Sequence, residues 1–251
     1  MHIDKIKKIY RDNLVSKSYE IAFLVVIFRF ISPPFVYLLS KLKVHPLHIS
    51  FFNLLIVLMA LFLFVFSSNI ILPILLLVFW QFSDTLDGGV ARSRGMISNY
   101  GGFIDQIAGM IMLAFFPILV GYAASQQMIN DPFNSNIEII ELTPQFILML
   151  GGLSSVSAIF SRFINYTIKI RFGEDNAKHI TSEKNINNIL RIIIINIENI
   201  GGLNLIILLV FSLIDILPLY VIIFSIINFL IMTYVFFRAL IDYRGFSDYL
   251  S

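Results

Sequence analysis

The residues able to do chemistry gather in one stretch, DTLDGGVARSRGMISNYGGFIDQIAG, residues 84–109. Asp84 and Asp87 are three apart, so on a helix they share a face. Gly88 and Ala91 continue that face with almost no side chain, which lets a ligand approach the backbone. Arg92 follows as a fixed cation suited to phosphate oxygens. A polar turn leads to Gly101-Gly102, and Asp105 stands on the first turns of the next helix. Three carboxylates therefore converge from two antiparallel helices. Near a bilayer such groups are costly, roughly 2.5–3.5 kcal/mol for an Asp at a helix centre, and clustering adds mutual repulsion. A divalent cation relieves both penalties. All-oxygen ligation favours Mg²⁺, Mn²⁺ or Ca²⁺ over zinc or copper. An ion, an arginine and small residues together are what a diphosphate ligand requires. The other reading of the same residues is an interfacial ion network of the aspartates with Arg92 and Arg94.

The elements that must carry this stretch are apolar. Of the 251 residues 58% are hydrophobic and 14% charged, where a soluble globule carries about a quarter charged. Mean hydropathy is +0.86. Lipid offers the backbone no partners, so the long apolar stretches must be helices. Six spans are expected, roughly 49–66, 70–84, 103–124, 145–168, 192–214 and 217–239, each near the length a bilayer requires. Ser67-Ser68-Asn69 makes a tight hairpin between the first two, and Gly201-Gly202 interrupts the fifth. Gly151-Gly152 and Gly201-Gly202 read as close-packing sites. Residues 21–42 hold Arg29 and Pro33-Pro34, so they read as a bent interfacial or re-entrant element. Residues 1–17, with Lys5, Lys7, Lys8, Arg11 and Lys17 beside Ile3, Ile6, Ile9, Tyr10 and Leu14, read as a basic amphipathic helix on an anionic leaflet. The start does not resemble a cleaved signal peptide, and without cysteine thiolate sites and disulfides are excluded. The expected architecture is thus an all-α integral membrane protein: an N-terminal amphipathic and interfacial region, 1–44, and a six-helix membrane domain, 45–251.

Charge placement sets the expected orientation. With the N-terminus inside, the outer segments 67–69, 125–144 and 215–216 contain no Lys or Arg, although the chain holds 18. The longest outer loop carries Asp131, Glu138 and Glu141, and the inner loop 169–191 carries Lys169, Arg171, Lys178, Lys184 and Arg191. This positive-inside pattern puts both termini and the 84–105 segment on the cytoplasmic side. Counting 21–42 as a true span would put Lys41 and Lys43 outside. A transporter or channel needs charges along a path across the bilayer, and here the charge is confined to one side.

The stretch Asp84-x2-Asp87-Gly88-x2-Ala91-Arg92-x8-Gly101-x3-Asp105 resembles the signature of the CDP-alcohol phosphatidyltransferases, D-x2-D-G-x2-A-R-x8-G-x3-D-x3-D. Seven of its eight fixed positions match with the family spacing. HPLHIS, residues 45–50, is similar to the family's Pro-Asn-x-x-Thr before the first span, with Leu47 in place of Asn and Ser50 in place of Thr. The resemblance implies transfer of a substituted phosphate from a CDP-linked donor to an alcohol, with release of CMP, in phospholipid biosynthesis. It implies Asp84, Asp87 and Asp105 as ligands of Mg²⁺ or Mn²⁺, and Gly88, Ala91, Arg92 and Gly101 as part of the cytidine diphosphate site. It also implies a homodimer among membrane lipids, with a small alcohol or lipid acceptor and no nucleic-acid partner. Serine, inositol phosphate, glycerol phosphate and aminoalcohols are the acceptor classes left open.

One position departs from the pattern. Where the family has its fourth aspartate, a ligand of a second metal and the general base, this chain has Gly109. It lies four residues after Asp105, on the same face, and Gln106, Ala108 and Met110 offer no carboxylate. Three readings follow: a variant made or selected to be inactive, a natural pseudoenzyme that still binds nucleotide as a membrane scaffold, or an enzyme with another base, such as His45 or His48. Arg162, His179 and Lys184 are further candidates for contact with a lipid head group.

Overall fold

The computed structural model of the protein describes residues 22–67, 69–96, 98–130, 142–180, 196 and 200–250. The basic segment 1–17 and most of 181–199 lie outside them. The described residues are helical, and no strand occurs among them. The helices are α1 (Phe23–Ile31), α2 (Pro33–Lys41), α3 (Pro46–Phe66), α4 (Ile71–Arg94), α5 (Asn99–Asn130), α6 (Pro144–Ile180), a π-helical segment (Ile200–Asn204), α7 (Leu205–Leu213) and α8 (Leu217–Leu250). Five of them are long and apolar enough to cross a membrane, and six spans result if the bent pair α1–α2 counts as one. The protein is a multi-pass integral membrane protein. On α3, Phe51, Phe52, Leu55, Met59 and Phe62 are exposed; a helix face that apolar is solvated by lipid chains, not water.

The expected elements form for local reasons. Pro33 opens α2 at a position that needs no backbone N–H, and α1 and α2 meet there at a 54° bend. His45 precedes α3 and accepts the Leu47 amide at Nδ1, 3.3 Å, with Pro46 at the first helical position. The Ser67–Asn69 turn closes on itself: the Asn69 amide donates to Ser67 Oγ at 3.1 Å, and the Ile71 amide to Asn69 Oδ1 at 2.9 Å. Of the fifth expected span, 192–214, the described part is Asn196, the short π segment and the nine residues of α7. At Gly202 the dihedrals leave helical values, the interruption expected at Gly201-Gly202, and a Cβ there would lie 2.6 Å from Asn196 Cα.

The chain divides into two compact units, residues 1–112 with 188–214, and residues 113–187 with 215–251. In the first, α4 is the central element and packs on α1, α2, α3 and α7. Val36, Ile49, Leu86 and Val90 are buried together. Phe82 receives Phe28 and Phe35 edge-on, with ring centroids 5.5 and 5.4 Å away.

The second unit pairs α6 with α8 and with the later part of α5. A Cβ on Gly151 would meet the Pro117 carbonyl at 2.7 Å, so Gly151 lets α5 and α6 touch backbone to backbone, the packing expected of small residues in lipid. Pro117 cannot bond back to the preceding turn. Ser155 Oγ donates instead to the carbonyls of Leu113 and Ala114. Asn228 donates to Ser154 Oγ at 2.7 Å, and Ser225 to the Leu150 carbonyl at 2.8 Å.

Candidate metal centre

The expected convergence of aspartates occurs within the first unit. Helix α4 continues ten residues beyond the expected end of its span at residue 84, which puts Asp84, Asp87, Gly88, Ala91 and Arg92 on one helical face. It stops at Gly95, whose φ of 66° is left-handed. The Met96 amide reaches back to the Ala91 carbonyl at 2.9 Å and the Gly95 amide to Arg92 at 3.4 Å, a Schellman closure. The chain then turns and restarts at Ser98, whose Oγ accepts the Gly101 amide at 3.1 Å, an N-cap bond. That cap sets the register of α5 and brings Asp105 around to α4. One carboxylate oxygen from each of Asp84, Asp87 and Asp105 lies within 4.8 Å of the others. Asp87 is buried; Asp84 and Asp105 are half-buried.

Helix α3 supports this cluster. Ser50 Oγ donates to Asp87 Oδ2 at 2.9 Å and Asn53 Nδ2 to the same oxygen at 3.3 Å. At the mouth of the site, a Cβ added to Gly101 would lie 3.3 Å from Ser98 Oγ and 3.8 Å from Leu47 Cδ2, so the start of α3 meets the glycine of the motif. A Cβ on Gly88 would lie 3.0 and 3.1 Å from the terminal nitrogens of Arg92. The Arg92 guanidinium therefore lies directly over Gly88. The charges of Arg92 and of Arg29, which comes from α1, both act on Asp84.

The two arginines of the alternative ion network thus part company. Arg94 directs Nη1 at the Val44 carbonyl, 2.8 Å away, and ties the α2–α3 linker to α4. Ser40 and Ser93 hydroxyls, 3.1 Å apart, reinforce the same seam.

The donor set suits a hard divalent cation. Ligands of one ion at metal–oxygen distances of about 2.0–2.6 Å lie at most about 4–5 Å apart, and the three carboxylate oxygens, all within 4.8 Å of one another, meet that limit. All three ligand groups are carboxylates, the chemistry of Mg²⁺ or Mn²⁺. Among the described residues this is the group of His, Asp and Glu side chains placed to share an ion, and it contains no histidine. His45 is engaged as the α3 cap, and His48 is exposed beside it, ring centroids 5.9 Å apart. Gly109 is half-buried on α5, one turn beyond Asp105, and among the described residues no other element comes within 4 Å of where its Cβ would be. Arg162 is exposed on α6, His179 stands near the end of that helix, and Lys184 lies outside the described residues.

Sequence reasoning missed Asn53. It carried a signal: Asn53 is the one polar residue in the run from 51 to 66, and polar groups at membrane depth are expensive and mark function.

The profile of one protein family, described as CDP-alcohol phosphatidyltransferase, matches residues 43–214 of the chain. No curated protein and no solved structure matches it.

Proposed function

Because the chain belongs to the CDP-alcohol phosphatidyltransferase family, we propose that this membrane phosphotransferase of phospholipid synthesis works at the Asp84–Asp87–Asp105 centre. It takes a CDP-linked donor and an alcohol acceptor, and Gly109 limits its turnover. The observation that carries the reading is the meeting of three carboxylates from two helices beside an arginine laid over glycine. Residues 45–251 are its phosphotransferase domain, with residues 1–44 as an interfacial element. The charge pattern supports a site on the cytoplasmic face, with both termini there. A homodimer is part of the same proposal.

Asp84, Asp87 and Asp105 would hold Mg²⁺ or Mn²⁺. When bound, such an ion neutralises the diphosphate and the departing CMP. Arg92 supplies a fixed positive fork for phosphate oxygens. Gly88 seats the Arg92 guanidinium against the helix, and Gly88, Ala91 and Gly101 keep the side-chain bulk around the cytidine diphosphate small. In the transfer, the acceptor oxygen forms a bond to phosphorus, the bond from phosphorus to the CMP oxygen breaks, and the acceptor's hydroxyl proton passes to water. At the position that would take this proton, Gly109 has no group to receive it. The same glycine favours the second reading, a membrane scaffold that binds the nucleotide without turnover.

The test is thermal unfolding of the purified chain in detergent. A CDP-alcohol at about 100 times its Kd is expected to add about 2.7 kcal/mol of stability with Mn²⁺ present and none with EDTA. No metal-dependent stabilisation would overturn the reading.

A second outcome concerns the donor pocket. In Gly88→Ala the new methyl displaces the Arg92 guanidinium. CDP affinity measured in Mn²⁺ is expected to fall roughly tenfold, the scale of one charge-assisted hydrogen bond. Metal affinity without nucleotide stays unchanged. Unfolding is no rival explanation, since alanine favours a helix over glycine by about 1 kcal/mol.

A further inference from the structure

We propose that Asn53, together with Ser50, is a positioning residue that sets the direction in which Asp87 offers its carboxylate to the metal. The inference rests on the metal-centre reading above and extends it to α3.

Asn53 is 2% exposed and is surrounded in sequence by FF and LLIVLMALFLFVF. Ser50 lies one turn earlier, so the two side chains share a helical face. Both donate to one atom, Asp87 Oδ2, at 2.9 and 3.3 Å. A carboxylate oxygen has about two acceptor sites, so Oδ2 is fully committed to α3. Two donors on one oxygen also stop the carboxylate rotating about its last torsion, which fixes the bearing of the other oxygen.

The remaining amide atom points to the purpose. Asn53 Oδ1 is buried and has no hydrogen-bond partner among the described residues. A half-satisfied amide in an apolar span costs stability, and a leucine of similar size would pack there without that penalty. Turning the amide over would press Oδ1 against the carboxylate. What Asn53 contributes is therefore its donor to Asp87, an outer-shell contact of the kind that orients metal ligands.

A purely structural role and a positioning role predict opposite results for Asn53→Leu. Mn²⁺ binding is read from the signal of free Mn²⁺ in electron paramagnetic resonance, and stability from thermal unfolding without metal. Positioning predicts that the metal-free melting temperature holds or rises while the Mn²⁺ midpoint rises about 10- to 100-fold. Ser50→Ala should shift the midpoint likewise, and Ser50→Thr, which keeps the hydroxyl, should restore it. A lower melting temperature with an unchanged Mn²⁺ midpoint overturns the proposal. If Asn53→Leu does not fold, the Ser50 pair decides: equal midpoints for alanine and threonine overturn it. Failure of the parent chain to bind Mn²⁺ overturns the metal centre itself, a separate outcome from normal binding in every variant.

Discussion

Gly109→Asp is expected to raise CMP release by about 10²–10⁴-fold, the usual yield of a positioned general base. The residue stands one helical turn after Asp105, so a carboxylate there projects toward the same side of α5. Among the described residues no other element comes within 4 Å of the position a Cβ would take, so the new side chain starts in open space. Helix propensity does not oppose it either, since glycine is the poorer helix former. A fourth carboxylate adds repulsion, so the variant should be less stable than the parent without metal and gain more from Mn²⁺. Release of radiolabelled CMP across serine, inositol phosphate, glycerol phosphate and aminoalcohol acceptors checks this. Equal release by parent and variant means that another group accepts the proton and that Gly109 does not limit the reaction. No release from either, with donor binding intact, selects the scaffold.

Asp87→Asn is expected to abolish Mn²⁺-dependent stabilisation while leaving the metal-free chain at least as stable as the parent. The opposite signs follow from one cause. Ionised carboxylates at the observed 4.8 Å limit repel by about 3 kcal/mol per pair at an effective dielectric near 20. Asparagine keeps the shape and still accepts from Ser50 and Asn53, but it removes one charge from the cluster. Asp87 is the most buried of the three, 5% exposed, so its charge is the least screened by water. With the ligand gone, the roughly 2.7 kcal/mol expected of an ion at about 100 times its Kd disappears. Paired melts of parent and variant, in Mn²⁺ and in EDTA, measure both halves. A variant that is destabilised in EDTA and still stabilised by Mn²⁺ would show that Asp87 is a packing residue and no ligand.

Much of this was legible in the amino-acid sequence because its information is local. Apolar runs in lipid have one backbone solution, so the helical class follows from hydropathy. Spacings of three and four place Asp84, Asp87, Gly88 and Ala91 on one face before any fold is known. Pro33-Pro34 bends its element, and Ser67–Asn69 turns the chain, because proline lacks a donor and short polar side chains bond their own backbone. Of the fifth expected span, 192–214, residues 192–195 and 197–199 lie outside the described residues, and the described part is a π segment and a short helix.

What only the tertiary structure decided is how helices rotate against one another. Helix α3 is apolar on nearly every face, and its polar residues Ser50 and Asn53 mark an inward side without saying which neighbour it meets. Packing sets that rotation, and with it the bonds from Ser50 and Asn53 to an aspartate 37 and 34 residues away. The same holds for Arg94, taken up by Val44 fifty residues earlier. Even the missing aspartate had two halves. Its absence is written in one letter, while the room for a Cβ at Gly109, clear of the other described elements to 4 Å, is set by how the helices pack.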